Sequence, residues 1–319
     1  MRAAIAIVVA LAAGTDPKPL FRDDTLPFDG WKREGAAATF TLETGGGATV
    51  LTGRGENLPA NSFLVSPRPL GDFTLEVEVR IEPGTNSGIQ VRSRVDGGRV
   101  RGPQVEIDPS PRAWSGGIYD EGDRGWMQPL EGREEARRAF TVGAWNRYRI
   151  ECDGPRIRTF VNGVACADWL DAKSIEGVVA FQVHSGPTAT VAWRNPMIVE
   201  RGRHAWTPLA AGEDARVAIP PDAAGVRIGA GPWTGVVLEP ETGPELRLRA
   251  DGLEAGAEAA PTGAGELPLD LLFAADRIAV RRDGRATLDR TAPPPVRLRI
   301  EPPSARPAVE VLRPVRPPA

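Results

Sequence analysis

Cysteine is nearly missing from this chain of 319 residues. Cys152 and Cys166 are the only two, too few for a thiolate zinc centre or a disulfide-stapled framework. Lysine is as scarce: of 39 basic residues only Lys18, Lys32 and Lys173 are lysines, an arginine excess that compositional bias in the source accounts for. The formal charge is -3, so the basic surface that nucleic acid or an anionic membrane requires is missing too. Beyond residue 13 no apolar run is long enough to span a bilayer as a helix. The chain also lacks HExxH, a phosphate-binding loop, GxSxG and a dinucleotide fingerprint.

Glycine and proline are abundant, 36 and 31 residues, about a fifth of the chain. Set between short alternating apolar runs, they read as turns between many strands. Met1-Arg2, the apolar run Ala3 to Ala13 and a small-residue exit fit a secretory signal peptide over residues 1–14. Export to the periplasm or exterior is therefore expected, and no cysteine follows the run to carry a lipid. Phe73 to Ile81, apolar at every odd position, is the cleanest strand, and Glu131 to Phe140 is the one helical-looking stretch. Asp153-Gly154 and Asn162-Gly163 look like hairpin turns, which put Cys152 and Cys166 on strands separated by a third. That spacing lies near the reach limit of a disulfide, so two free thiols are expected. From His204 the texture changes to weak strands rich in Ala, Gly, Pro and Glu; a clear strand pattern resumes between Leu267 and Leu312, and Arg313 to Ala319 reads as a frayed tail. The expected division is residues 20–203 and a smaller β-rich unit over 204–319, with a degenerate second sandwich as one reading of the latter.

The chemistry-bearing stretch is Gly102 to Trp126, GPQVEIDPSPRAWSGGIYDEGDRGW. In a strand through Gln104 to Asp108, side chains alternate between faces, so Val105 and Ile107 point one way and Gln104, Glu106 and Asp108 the other. A glycine-rich loop with Trp114, Tyr119, Asp120 and Trp126 follows, and an acidic face rimmed by aromatics suits a sugar. Extending the parity count to Ile89–Val95 and Val178–Ser185 adds Gln90, Arg92, Gln182 and His184 to that face. Glu106 and Asp108 qualify as acid and base, as metal ligands, or as acceptors for hydroxyls. His184 qualifies as base or ligand, and Arg92 as partner to the carboxylates or to an oxyanion. The competing reading is a solvated sheet face with cross-strand ion pairs.

Asn86-Ser87-Gly88-Ile89 with Arg92, Gln104-Val105-Glu106-Ile107-Asp108, Gly116-Gly117-Ile118-Tyr119-Asp120, Trp145-Asn146, Val161-Asn162-Gly163, Phe181-Gln182-Val183-His184 and Trp193-Arg194-Asn195 occur in an order and spacing that resembles the 3-keto-disaccharide hydrolase domain family. The resemblance covers about Leu20 to Glu200. It implies an all-β, concanavalin-A-like jelly roll, export, and action on glycosides oxidised at carbon 3, with Glu106, Asp108, Arg92, Tyr119 and His184 in or near the site. Catalytic candidates are thus Glu106, His184, Asp108 and Arg92. Asn86, Gln104, Trp114, Tyr119, Asp120, Trp126 and Gln182 are expected to bind a carbohydrate substrate. No cofactor is required outright; a divalent metal ion at Glu106, Asp108 and His184 stays open, as does a non-catalytic carbohydrate-binding sandwich. Pro196 departs from the family pattern, and since proline donates no ladder hydrogen bond the sheet is expected to be irregular there.

Overall fold

A computed structural model describes residues 16–21, 30–209, 216–230, 235–241, 246–249, 268–274, 277–282, 285–292, 295–301 and 307–315. The expected signal peptide over residues 1–14 lies outside the described residues. In chain order the first strands are β1 Lys18–Pro19, β2 Lys32–Gly35, β3 Thr39–Gly45, β4 Ala48–Leu58, β5 Ser62–Val65, β6 Asp72–Ile81, β7 Ser87–Asp96, β8 Arg99–Ile107, β9 Ile118–Glu121 and β10 Gly125–Gln128. A single turn of helix, α1 Glu134–Arg137, leads to β11 Asn146–Asp153, β12 Arg156–Val161, β13 Val164–Leu170, β14 Val178–Val183 and β15 Gly186–Gly202.

These strands form two antiparallel sheets. One has the order β13-β12-β11-β6-β15-β4-β3, with β1 also on β15; the other runs β10-β9-β8-β7-β14-β5-β2. Together they make a jelly-roll sandwich. Alternation explains the layer between them: Phe73, Leu75, Val77, Val79 and Ile81 from β6 meet Leu64, Ile89, Val105, Ile118 and Phe181 from the second sheet in one buried cluster. Each large apolar side chain so buried contributes about 1.5–3 kcal/mol.

The chain continues through β16 His204–Pro208, β17 Arg216–Ala218, β18 Gly225–Ile228, β19 Gly235–Pro240, β20 Leu246–Arg249, β21 Leu269–Ala274, β22 Arg277–Arg282, β23 Arg285–Thr291, β24 Pro295–Glu301 and β25 Val309–Pro314. Sheets ordered β16-β25-β18-β21-β22-β23 and β17-β24-β19-β20 share a second buried core that includes Val226, Val236, Leu271, Val280, Leu298 and Ile300. A small third cluster, Leu170 and Ala172 against Leu272 and Ala279, joins the two sandwiches.

The structure revises two local expectations and bears out a third. The helix over Glu131 to Phe140 shrinks to α1: Ala136 is its one buried residue, Ala139 and Phe140 pack against the core from beyond its end, and Gly132, at φ 73°, is a turn residue before it. Arg313 and Pro314 are not tail but the end of β25, with Arg313 paired to Asp222 at 3.0 Å. At Pro196 the β15–β6 register shifts between Arg194 and Met197, and Asn195 takes φ 48° while its Oδ1 accepts from Thr49 N at 2.9 Å, which is the expected irregularity. Cys152 and Cys166 are free and buried, on strands flanking β12.

Candidate functional site

Sheet register assembles the outer face of the second sheet. Glu106 on β8 lies opposite Gly88 on β7, and Gln104 lies opposite both Gln90 on β7 and Tyr119 on β9. On β14, Ala180 pairs with Gln90 and Phe181 with Ile89, so Gln182 falls on the row of Gly88 and Glu106. Gly88 has to be small: a Cβ there would stand 2.3 Å from Gln104 Cδ. The Gln104 side chain occupies that space, meeting Gln90 at 2.8 Å and donating from Nε2 to Glu106 Oε2 at 3.0 Å.

Glu106 is 4% exposed. Its Oε1 accepts from Asn86 Nδ2 at 2.8 Å and faces Arg112 Nη2 at 3.4 Å. Burial pushes the Glu106 carboxyl above its ordinary value, and the Asn86 and Gln104 hydrogen bonds only partly oppose this. Asp108, two residues on, goes the other way. Burial again acts upward, but hydrogen bonds from Ser110 and Arg112 outweigh it and hold the carboxyl below the usual range. Asp108 Oδ1 accepts from Ser110 N at 3.1 Å, and Oδ2 accepts from Arg112 Nε at 2.8 Å. Two neighbouring carboxylates are thus driven in opposite directions, Glu106 upward and Asp108 downward.

Arg112, which the sequence did not single out, ties the face together. It bridges both carboxylates and stacks 4.9 Å from the ring centroids of Trp114 and Trp126. Trp114 and Tyr119 in turn pack edge-on against Trp126 at 4.7 and 5.2 Å. These three aromatics are half-buried beside Glu106, as the loop composition suggested.

Gln182 is fully buried, yet among the described residues neither its Oε1 nor its Nε2 finds a hydrogen-bond partner. An unpaired buried amide costs about 1–3 kcal/mol. Half-buried His184 follows two residues later on the same parity. Its Nδ1 stands 2.8 Å from Ser185 O; a carbonyl only accepts, so Nδ1 carries a proton and Nε2 is the ring nitrogen left to meet a ligand. A chain of hydrogen bonds continues from Ser185 N to Asn61 Oδ1 at 2.9 Å and from Asn61 Nδ2 to Glu121 Oε1 at 3.2 Å. Asn61 and Glu121 were also missed in the sequence. Only the period-two parity of Glu121 with Tyr119 carried a signal for it.

Two residues leave the expected face. Arg92 adopts φ 50° where the β7–β8 register shifts between Gln90 and Arg94. This bulge reverses the alternation and buries the guanidinium away from Glu106. Its Nε donates to Gly71 O at 2.8 Å, Nη1 to Gly154 O at 2.5 Å and Nη2 to Asp72 Oδ1 at 2.9 Å. Asp120 has the core-side parity of Ile118, is 1% exposed and is ion-paired with Arg124, which also holds Asp171 at 2.6 Å. Neither offers its charge to a ligand above Glu106.

Glu106, Asp108 and His184 do not come together as metal ligands. Among the described residues the three-ligand cluster is instead Asp72, Asp153 and His204. The Asp72 oxygens are already bound there, to Arg92 and Gly154 N on one side and to His204 Nδ1 at 2.8 Å on the other. At Glu106 and Asp108 the Arg112 guanidinium occupies the position between the carboxylates, so the donor set present does not fit a cation.

A buried carboxyl with a raised pKa, an unpaired buried amide and an aromatic rim thus lie on the outer face of the second sheet of the jelly roll. The family profile of the 3-keto-alpha-glucoside-1,2-lyase-like domain matches residues 16–199, and the chain belongs to that family. Among solved structures the chain is similar in fold to the carbohydrate-binding module CBM66 from Bacillus subtilis, with 18% identity, 55% of this chain and 97% of that one covered, and a TM-score of 0.39. A Bacillus subtilis protein of unknown function with a galectin-like fold gives 13%, 59%, 96% and 0.42. A prokaryotic β-1,3-1,4-glucanase from a mouse hindgut metagenome gives 13%, 58%, 97% and 0.36. No curated protein matches the chain in sequence.

Proposed function

We propose that this protein cleaves 3-keto-glycosides, 3-keto-disaccharides among them, by carbonyl-assisted elimination followed by hydration. The observation that carries the proposal is the unpaired Gln182 amide, buried on the same cross-strand row as Glu106, whose carboxyl burial pushes above its ordinary value.

A ketone at carbon 3 acidifies the proton on carbon 2. His184 Nε2, the ring nitrogen left by the Nδ1–Ser185 bond, removes that proton; the C2–H electron pair moves into an enolate between carbons 2 and 3. The Gln182 Nε2 amide donates to the enolate oxygen, supplying the stabilisation that a buried preorganised donor gives. As the enolate collapses, the C1–O bond breaks and Glu106 gives its proton to the departing oxygen, leaving a C1–C2 double bond conjugated to the ketone. Water then adds across that double bond. Asp108 stays ionised and fixes Arg112, while Trp114, Tyr119 and Trp126 border the ring's apolar face. Ordinary two-carboxylate hydrolysis fits less well, because Glu106 and Asp108 share one strand face and cannot flank a bond from opposite sides.

Turnover of 3-keto-trehalose or 3-keto-sucrose tests this. Wild type is expected to release the sugars, with Glu106→Gln and His184→Ala lowering kcat by about 100-fold or more. Wild type that binds the sugars and never turns them over leaves a non-catalytic carbohydrate-binding sandwich instead. We also propose export directed by residues 1–14, on the apolar run Ala3 to Ala13. Mass analysis of the protein made in a host with a general secretion pathway is expected to show loss of that segment; an intact N-terminus overturns it.

A further inference from the structure

The β7–β8 hairpin bends sharply beyond the site. Arg92 at φ 50° and Gly102 at φ 131° interrupt the ladder on its two strands. Past this point Val100 packs against Phe63, Val65 and Ala180 in a small cluster of its own. Ala180 is the cross-strand partner of Gln90, and Phe63 that of Gln182, so the hairpin tip covers part of the same outer face that carries Glu106. Between the tip and the β2–β5 edge lies a pocket of about 510 Å³ whose wall includes Asn61, Phe63, Arg101, Glu121 and Ser185.

That pocket shares its wall with the reaction face. Glu121 is two residues from Tyr119 on one strand and so on the same side; Tyr119 pairs with Gln104, which donates to Glu106 at 3.0 Å. Ser185 holds His184 on one side and reaches the pocket on the other. Its chemistry is mixed: an aromatic wall from Phe63, the guanidinium of Arg101, which faces Asp96 at 3.5 Å and donates to Gly122 O at 2.6 Å, and the amide and carboxyl of Asn61 and Glu121. Burial raises the Glu121 carboxyl above its ordinary value, with Asn61 and His184 pulling the other way. Phe63 gives an apolar surface, and Arg99, Arg101, Asn61 and Glu121 set donors and acceptors around it, a combination that suits a polyhydroxylated ring.

We infer that this pocket is a subsite for the second ring of a disaccharide, adjoining the site at Glu106. The inference rests on the reading given under Proposed function, and two readouts separate their failures. The first is the ratio of kcat/KM for 3-keto-trehalose to that for methyl 3-keto-glucoside, a one-ring substrate. The second is calorimetric binding of trehalose against glucose, which needs no turnover. In wild type the two-ring ligand is expected to be favoured in both. Ala60→Trp, an exposed wall position where a large side chain fills the space, and Arg101→Met are expected to lower that preference about tenfold or more, with thermal midpoints checked for folding. Turnover without a two-ring preference overturns the subsite alone, as does a preference that both variants retain. A two-ring binding preference without turnover overturns the catalytic reading alone, and absence of both overturns the two together.

Discussion

At the scale of single residues, the decisive contrast is between Glu106 and Arg92. Both had the parity of the site face in the sequence, and period two alone placed Gln104, Glu106 and Gln182 on one outer surface. Arg92 escaped because a one-residue bulge with a left-handed arginine leaves no mark in the pattern of apolar and polar letters. Arg112 was hidden for the opposite reason. Its position depends on Asp108 capturing Ser110 N and so turning the loop back, a contact local in space but unreadable from alternation. The raised carboxyl of Glu106 yields a prediction of its own. A folded-state pKa above the unfolded value of about 4.5 means that its contribution to stability is present at low pH and lost as pH rises through the folded value. Glu106→Gln cannot ionise and so avoids that loss. In urea titrations the stability of the variant relative to wild type is expected to increase from about pH 4 to about pH 8. A difference that stays flat or shrinks would show that Glu106 is not held protonated by burial.

At the scale of elements, the long alternating strands were legible and the short or irregular ones were not. Phe73 to Ile81 announced β6 almost to its bounds, because odd residues alone fill the core. The strand patterns near Arg277 and Val296 likewise became β22 and β24. β16 and β18 carried too few alternations to stand out, His204–Pro208 containing only Ala205 and Trp206 as apolar signal before a proline, and Gly225–Ile228 only two buried side chains besides its glycine. The bulge that shapes the hairpin tip sits between these extremes, and Gly102 is its testable point. At φ 131°, a Cβ would stand 2.9 Å from Ser93 Oγ and 3.0 Å from Ser93 Cα. Gly102→Ala is therefore expected to lose about 1–3 kcal/mol in denaturant unfolding. The same change at Gly45, where a Cβ has open space and φ is not in the left-handed region, should cost far less. Equal effects at the two positions would mean that the hairpin does not depend on this bend.

At the scale of the whole molecule, what couples the two sandwiches is a buried arginine rather than a broad apolar seam. The shared apolar cluster is small, Leu170, Ala172, Leu272 and Ala279 with a few half-buried neighbours. Through it runs Arg281 from β22, fully buried. Its Nε donates to Leu170 O of the first sandwich at 2.9 Å, its Nη2 to Asp289 at 3.0 Å, and its guanidinium lies 4.3 Å from the Trp169 ring. In the sequence this residue was one arginine among many on a strand pattern, so nothing marked it as the joint. Burying a guanidinium is costly unless every donor is used, and removing it orphans the groups it served, a loss of about 3–5 kcal/mol for a broken buried pair. Arg281→Met keeps apolar volume at the joint and removes only the charge and its hydrogen bonds. Among the described residues the ties left include the small cluster, Arg277 with Asp168 at 3.3 Å and His204 with Asp72 at 2.8 Å. Wild type is expected to unfold in one calorimetric transition, and Arg281→Met in two, the lower belonging to the C-terminal sandwich with its smaller core. Two transitions already in wild type, or one unshifted transition in the variant, would mean that the sandwiches are joined by something other than Arg281.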